Sequence, residues 1–361
     1  VAAREWDESD VRVRPNKKGS RPRTKDRPDF KDAQTGRVIT VDRGRYTAVV
    51  DEGLDTERTV LAVRARELRR TSIVPTDFVD LVGDVSGGPD SLARLVRVQE
   101  RSTVLRRSAD DTDPVERVVV ANADRLVIVV AAANPEPRTG FIDRALVAAY
   151  DAGIEPILCI TKTDLQEPTD LVGMYSYIDV PIVLSRAAEN SAGPADQASS
   201  LALVSNAVGH LRELLDGHTS VLVGPSGVGK STMVNALTGS VRATGAVNAV
   251  TGRGRHTSSS ALALPLVGAG AASWIVDTPG IRSFGLAHVD SERIVEAFEE
   301  LAPATADCPR GCTHRSGAPN CALDAWVAGG HAGPYGAQRL ASLRALLGAE
   351  ADREDKELGA V

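Results

Sequence analysis

Between Thr35 and about Arg107, apolar and polar residues alternate in short segments separated by turn formers, a period-two pattern that predicts half-buried strands. Gly36–Val41 reads as a strand, Asp42-Arg43-Gly44 as a turn and Arg45–Val50 as the partner strand. Further strands are predicted over Thr59–Arg66, Phe78–Asp84 and Leu92–Val98. Five short strands in about seventy residues suit a small closed all-β barrel of the OB type. Past Arg107 the pattern changes. Arg125–Ala133 is a continuous apolar run, as expected of a strand covered on both faces. Ile142–Gly153 reads as a helix, Ile157–Thr161 and Ile182–Ser185 as two more buried strands, and Ser200–Asp216 as a helix. Ser220–Val223, a glycine-rich loop and Thr232–Leu237 form strand, loop and helix. This alternation predicts an α/β layer with a mainly parallel sheet. Ser191–Ser200 reads as a Gly-, Ala- and Ser-rich loop, and no repeat recurs at a fixed period.

The last part is predicted to be helical. Asp290–Leu301 puts Ile294, Phe298 and Leu301 on one face behind a cap at Asp290 or Ser291. Tyr335–Arg353 repeats apolar positions at Leu340, Leu343, Leu346 and Leu347.

Composition narrows the class. A length of 361 residues exceeds one ordinary core, and 42% hydrophobic with 25% charged residues is the balance of a water-soluble globular chain. No apolar run reaches the ~18 residues a membrane span needs. Val1–Asp10 lacks the basic and apolar halves of a signal peptide, so a cytoplasmic protein is expected, without membrane partners. The net charge of −6 hides an uneven distribution. Val11–Lys31 carries nine Lys or Arg residues against two acids, with Pro15, Pro22 and Pro28 and almost no large apolar side chain. Such a segment cannot bury a core; it is either a solubilising tail or a phosphate-seeking arm that orders on RNA. Arg64, Arg66, Arg69 and Arg70 would make the predicted barrel basic, which suits RNA contact, although a purely structural barrel fits the pattern too.

The chemistry is concentrated in a few short stretches. Gly224-Pro225-Ser226-Gly227-Val228-Gly229-Lys230-Ser231 matches the Walker A pattern between a predicted strand and helix. Its glycines let backbone N–H groups curl around phosphate oxygens, with the helix N-terminus adding a favourable dipole. Lys230 would reach the β- and γ-phosphates, Ser231 would ligate Mg²⁺, and Thr232 would complete the phosphate cradle. The loop alone also suits a nucleoside monophosphate kinase. Asp277-Thr278-Pro279-Gly280, after the strand Trp274–Val276, looks like a GTPase switch motif, with Asp277 on Mg²⁺ through water and the Gly280 N–H on the γ-phosphate. Thr161-Lys162-Thr163-Asp164 resembles a guanine-reading box, in which Asp164 accepts from the base and the Lys162 stem covers it. Ser185-Arg186-Ala187 is the candidate for backbone contact to the guanine carbonyl. Ile281 follows the switch glycine where Ras-like enzymes place a water-orienting Gln, so slow intrinsic hydrolysis is expected. His256 is then the candidate for positioning water, against the alternative of a solvated loop histidine. Thr257 is the switch-one candidate for Mg²⁺, with Ser258 as the substitute. Cys308, Cys312, His314 and Cys321 offer three thiolates and an imidazole, a closed structural zinc set, with His331 as an alternative ligand. Cys159, alone in an apolar run, reads as core.

The guanine box precedes Walker A here, whereas ordinary GTPases have it after the switch motif. With the barrel containing Val82-Gly83-Asp84, the segment Asn122-Ala123-Asp124, the loop Gly252–Thr257 and the terminal cysteines, the chain resembles the ribosome small subunit-dependent GTPase A (RsgA, or YjeQ) family. The resemblance covers all but the basic arm. It implies an α/β P-loop GTPase domain, circularly permuted, preceded by an OB barrel and followed by a small α-helical zinc-binding domain. The implied divisions are a basic arm over 1–34, an RNA-binding barrel over 35–112, the GTPase over 113–288 and the zinc-binding helices over 289–361. It also implies GTP and GDP, Mg²⁺ and one structural Zn²⁺, and a monomer acting late in assembly of the small (30S) ribosomal subunit through its rRNA, leaving after hydrolysis. Three departures stand out. Thr161 replaces the family's usual Asn, the fifth GTPase element is faint at Ser185-Arg186-Ala187, and the cysteine-module gaps of three and six residues each differ by one from the usual spacing. Two other functions fit parts of the sequence: a nucleotide-gated RNA-binding protein with negligible hydrolysis, and a nucleoside monophosphate kinase.

Overall fold

The first five strands close on themselves. In the computed structural model, which describes residues 30–68, 71–107, 117–186, 205–239, 261–270, 272–278, 284–286 and 288–358, they are β1 (Gln34–Asp42), β2 (Arg45–Val50), β3 (Arg58–Arg64), β4 (Phe78–Gly83) and β5 (Ala93–Val98). They pair in the order β1-β2-β3-β5-β4, and β4 returns to β1 with Gln34 opposite Leu81 and Arg37 opposite Phe78. Only the β3–β5 pair is parallel within this barrel. Closure removes sheet edges and aims alternate residues inward, so Val38, Ala48, Val60, Ala62, Leu81 and Leu95 are fully buried. A register shift between Val38 and Thr40 gives β1 the bend that lets it pair on both sides. The all-β OB-type barrel expected from the alternation is therefore present.

Two strands the alternation did not predict follow: β6 (Val104–Arg107) and β7 (Arg117–Ala121) form their own antiparallel pair outside the barrel. Then comes the α/β layer: β8 (Arg125–Ala131), α1 (Thr139–Asp151), β9 (Glu155–Thr161), α2 (Thr169–Tyr175), β10 (Ile182–Leu184), α3 (Ser205–Leu215), β11 (Thr219–Val223), α4 (Lys230–Thr238), β12 (Leu262–Pro265) and β13 (Trp274–Asp277). Its strand order is β10-β9-β8-β11-β13-β12, parallel throughout except for β12. Because Val127–Val130 are covered on both faces, β8 carries no alternation, only an apolar run. Cys159 lies in the same buried layer, and burial pushes its thiol up to about 12, which makes it an inert core residue.

Barrel and layer share one extended sheet through a Thr40–Leu262 bridge. Beside it, Arg37 donates to Glu52 at 2.8 Å and to the Thr219 hydroxyl at 3.2 Å, while its guanidinium lies over the Phe78 ring. The Trp274 indole donates to the same Glu52 carboxylate. Thus the first residue of β13 is fastened to the barrel.

The C-terminal part is helical, with α5 (Ser291–Glu296), a 3-10 turn over Ala302–Asp307, α6 (Ala322–Ala328) and α7 (Gly336–Leu358). The helix expected over Asp290–Leu301 is cut short. It stops at Glu296 with Ala297 as its C-cap, and a separate 3-10 turn with Pro303 in its first turn follows. Asp290 occupies the N-cap, though its side chain makes no capping hydrogen bond. Ile294, Phe298, Leu301, Leu340, Leu343, Leu346 and Leu347 are buried as their spacing predicts. Among them sits a fully buried Arg339, which pairs with Glu300 at 2.5 Å and with Asp143 of α1, and lies over the Tyr175 and Phe298 rings. Asp143 also accepts from the Tyr175 and Ser342 hydroxyls. Among the described residues, no helix is long and apolar enough to cross a membrane.

Candidate functional site

Four parallel strands deliver their C-terminal ends to one edge of the sheet, where ligands bind in open α/β folds. Thr161 ends β9, Val223 ends β11, Asp277 ends β13, and Ser185 follows β10. Leu222 stands opposite Asp277 and Ala131 opposite Thr161, so the phosphate loop, the switch aspartate and the guanine box meet at this edge.

The phosphate loop is shaped by its glycines. A side chain at Gly224 would run into the Val129 carbonyl, and Gly227 and Gly229 hold φ of +83° and +95°. Gly229 is the left-handed N-cap from which α4 starts at Lys230. The Lys230 ammonium donates to the Gly224 carbonyl at 3.0 Å, folded over the loop it belongs to. Burial lowers its pKa from the ordinary lysine value, and the Asp277 carboxylate opposes that shift. Asp277 itself is buried at the strand end. The next residue, Thr278, donates its hydroxyl to the Leu222 carbonyl at 2.7 Å and ties the switch motif to the strand feeding the phosphate loop.

Thr161 makes the corresponding tie from the other side. Its buried hydroxyl lies 2.5 Å from the Val228 carbonyl and 3.1 Å from that of Val130, so one proton is shared between the phosphate loop and β8. Replacing the usual Asn therefore leaves a link to the phosphate loop intact. Thr161→Val, which keeps the shape and removes the donor, is expected to cost about 1–2 kcal/mol in thermal denaturation, because two buried carbonyls lose a partner. Lys162, at φ +56°, donates to the Asn134 carbonyl, and Thr163 donates to the Ser185 carbonyl at 3.2 Å. Asp164 is exposed at this end of the site, whereas Ser185 is buried. Ser231 and Thr232 lie in the first turn of α4. His256, Thr257, Ser258, Gly280 and Ile281 fall outside the described residues, as do Arg69, Arg70 and the arm up to residue 29.

A cavity of about 220 Å³ opens beside the phosphate loop, between Pro225, Ser226 and Val228 on one side and Pro135–Arg138 and Phe141 on the other. Nothing in the motifs pointed to this second wall. The available signal was the pair of prolines, Pro135 and Pro137, just ahead of α1.

The cysteine module assembles away from the sheet. Ligand atoms of Cys308, Cys312, His314 and Cys321 all lie within 4.8 Å of one another. His314 Nδ1 is 3.6 Å from the Cys308 sulfur and 3.9 Å from that of Cys321. His331 takes no part; its ring packs on Trp326 at 4.6 Å between centroids. Arg344 donates to the His314 carbonyl and pairs with Asp324, a brace that the sequence did not reveal. Burial and the neighbouring Cys312 and Cys308 sulfurs push the Cys321 thiol up to about 11, while burial lowers His314. On the barrel, Arg64 and Arg66 are exposed.

A family model described as RsgA GTPase matches residues 98–287. The small ribosomal subunit biogenesis GTPase RsgA of Pseudomonas aeruginosa (strain UCBPP-PA14) is 40% identical over 231 residues, which are 63% of this chain and 63% of that one. The match thus spans less than two thirds of that relative's length. The protein of the same name from Neisseria meningitidis serogroup B (strain ATCC BAA-335 / MC58) is 34% identical over 64% of this chain and 68% of its own. Among solved structures, YjeQ from Thermotoga maritima has a TM-score of 0.60 at 23% identity, covering 88% of this chain and 99% of that one. YloQ, described as a circularly permuted GTPase, has a TM-score of 0.61 at 20% identity, covering 91% and 98%.

Proposed function

The chain belongs to the RsgA GTPase family, and from that membership we propose that it binds GTP at the Walker A edge, hydrolyses it to GDP and phosphate, and acts on the small ribosomal subunit. The observation that carries this reading is the convergence of three motifs from distant parts of the sequence on one sheet edge. Thr161 bonded to the Val228 carbonyl and Thr278 bonded to the Leu222 carbonyl lace them together. Gly224–Ser231 and Thr232 cradle the phosphates, with Lys230 as the charge on the β- and γ-phosphates. Asp164, Lys162 and Thr163 read the guanine, and Ser185 backs them from the end of β10. Gly280 senses the γ-phosphate, and His256 positions the attacking water, since Ile281 has no polar atom to do so. The barrel contacts rRNA through Arg64, Arg66 and their neighbours, with the basic arm adding phosphate contacts.

The Ser231 hydroxyl at the phosphate loop and the buried Asp277 carboxylate, acting through water, are hard oxygen donors that fit Mg²⁺, with Thr257 as the further ligand. Bound there, the ion neutralises charge on the phosphate oxygens. Three sulfurs and an imidazole within 4.8 Å fit a structural Zn²⁺ with no open position. Because the Cys321 thiol is raised to about 11, loading must displace its proton, so zinc affinity falls as pH falls. Chelation or Cys321→Ser is expected to remove one equivalent of zinc and to loosen α6, as read by elemental analysis and amide exchange. In this reading the divisions are 1–34, 35–112, 113–288 and 289–361, and the protein is a cytoplasmic monomer whose hydrolysis times its departure from the 30S subunit.

Nucleotide choice provides the direct test of the site. Displacement of a fluorescent GDP should be achieved by GTP and GDP and not by adenine nucleotides. Asp164→Asn should shift preference toward xanthine nucleotides. Equal displacement by ATP would contradict the assignment of Asp164.

A further inference from the structure

The cavity beside the phosphate loop contains a cation that no motif accounts for. Arg138 stands on the wall opposite Ser226, at the N-cap of α1, with extended backbone at φ −105° and ψ 101°. Pro135 and Pro137 fix φ at two of the three preceding positions, and the Lys162 ammonium holds the Asn134 carbonyl at the start of the segment. The loop is therefore pinned by the guanine-box lysine at one end and by α1 at the other. Arg138 is exposed, and its guanidinium has no hydrogen bond or ion pair among the described residues. A planar, permanently charged fork exposed on a loop pinned at both ends, beside a phosphate cradle, is suited to an oxyanion. Ile281 supplies no polar atom after the switch glycine, and Lys230 is the one cation within the Walker A loop itself.

We infer that Arg138 is a specificity-determining residue of the nucleotide site, its guanidinium reaching across Ser226 to the terminal phosphate and so distinguishing GTP from GDP. The inference rests on GTP occupying the Walker A loop, as proposed above. Arg138 makes its contact only when the third phosphate is present, so it stabilises the triphosphate form and the charge that spreads over its oxygens during transfer. Glu136 lines the same cavity and has the opposite effect on that phosphate. The two side chains thus predict changes of opposite sign.

The test compares binding of GDP and of a non-hydrolysable GTP analogue to the full chain and to Arg138→Ala, Arg138→Lys and Glu136→Gln. Arg138→Ala should weaken the GTP analogue by about tenfold or more, the loss of a charge-assisted hydrogen bond, and leave GDP unchanged. Arg138→Lys should recover part of the loss, since it restores charge without the fork. Glu136→Gln should raise the preference for the GTP analogue. An unchanged ratio of GTP-analogue to GDP affinity in Arg138→Ala would overturn the inference and leave the nucleotide site standing. Failure of the unaltered chain to bind either nucleotide would instead remove the reading beneath it, and the inference with it.

Discussion

Lys230→Ala is expected to abolish measurable GTP binding and turnover while leaving the fold intact. The ammonium lies over the phosphate loop, 3.0 Å from the Gly224 carbonyl, and in the proposed site it is the charge facing the bound phosphates. Truncating one partner of a desolvated charge pair costs about 2–5 kcal/mol, roughly 30- to 5,000-fold in affinity. Stability should move the other way or not at all. Burial already disfavours this charge, as its lowered pKa shows, so removing the ammonium relieves a desolvated group. A variant that melts normally yet fails to displace a fluorescent GDP is the expected result. Retained affinity would mean that phosphate is held elsewhere.

The second large effect is on stability. Arg339→Ala is expected to destabilise the chain by about 3–5 kcal/mol, because it strands two carboxylates almost entirely withdrawn from water. Asp143 and Glu300 face the guanidinium with side-chain exposures of 0% and 5%. Asp143 would keep the Tyr175 and Ser342 hydroxyls, which are too weak as donors to replace a full charge. Asp143→Ala should cost a similar amount, and the two substitutions together less than their sum, since each removes the other's reason for loss. Thermal melting of the two single variants and the double variant measures this. Full additivity would show that the pair is not coupled. The location gives the pair its importance: α1 runs from the cavity beside the phosphate loop to Asp143, and Arg339 and Ser342 lie on α7. A buried ion pair thus adds to the apolar packing that joins α1 to the C-terminal helices.

The parts of this structure that the sequence made legible share a physical reason. β8, β9 and β11 are covered on both faces, so each carries consecutive apolar residues rather than an alternation, and the phosphate loop must be glycine-rich to wrap an anion. The cysteine module was legible because soft ligands at short spacing have few other uses, and the structure chose His314 over His331 by packing the latter on Trp326. What escaped had no local signature. β6 has four residues, Val-Leu-Arg-Arg, too short to show a period, and β12 ends in a proline that argues against a strand. α6 buries only Leu323, so it has no apolar stripe. The Arg339 node joins positions 196 residues apart, and a charged residue gives no sign in the sequence that it will be buried. Arg37 with Thr219, 182 residues apart, is the same case.

GTP hydrolysis by the purified chain, with and without purified small ribosomal subunits, decides whether this is a ribosome-triggered GTPase. Turnover should be slow for the chain alone, because Ile281 cannot orient water, and should rise greatly with the small subunit but not with large subunits. Equal slow rates in both conditions would contradict a ribosome-triggered GTPase.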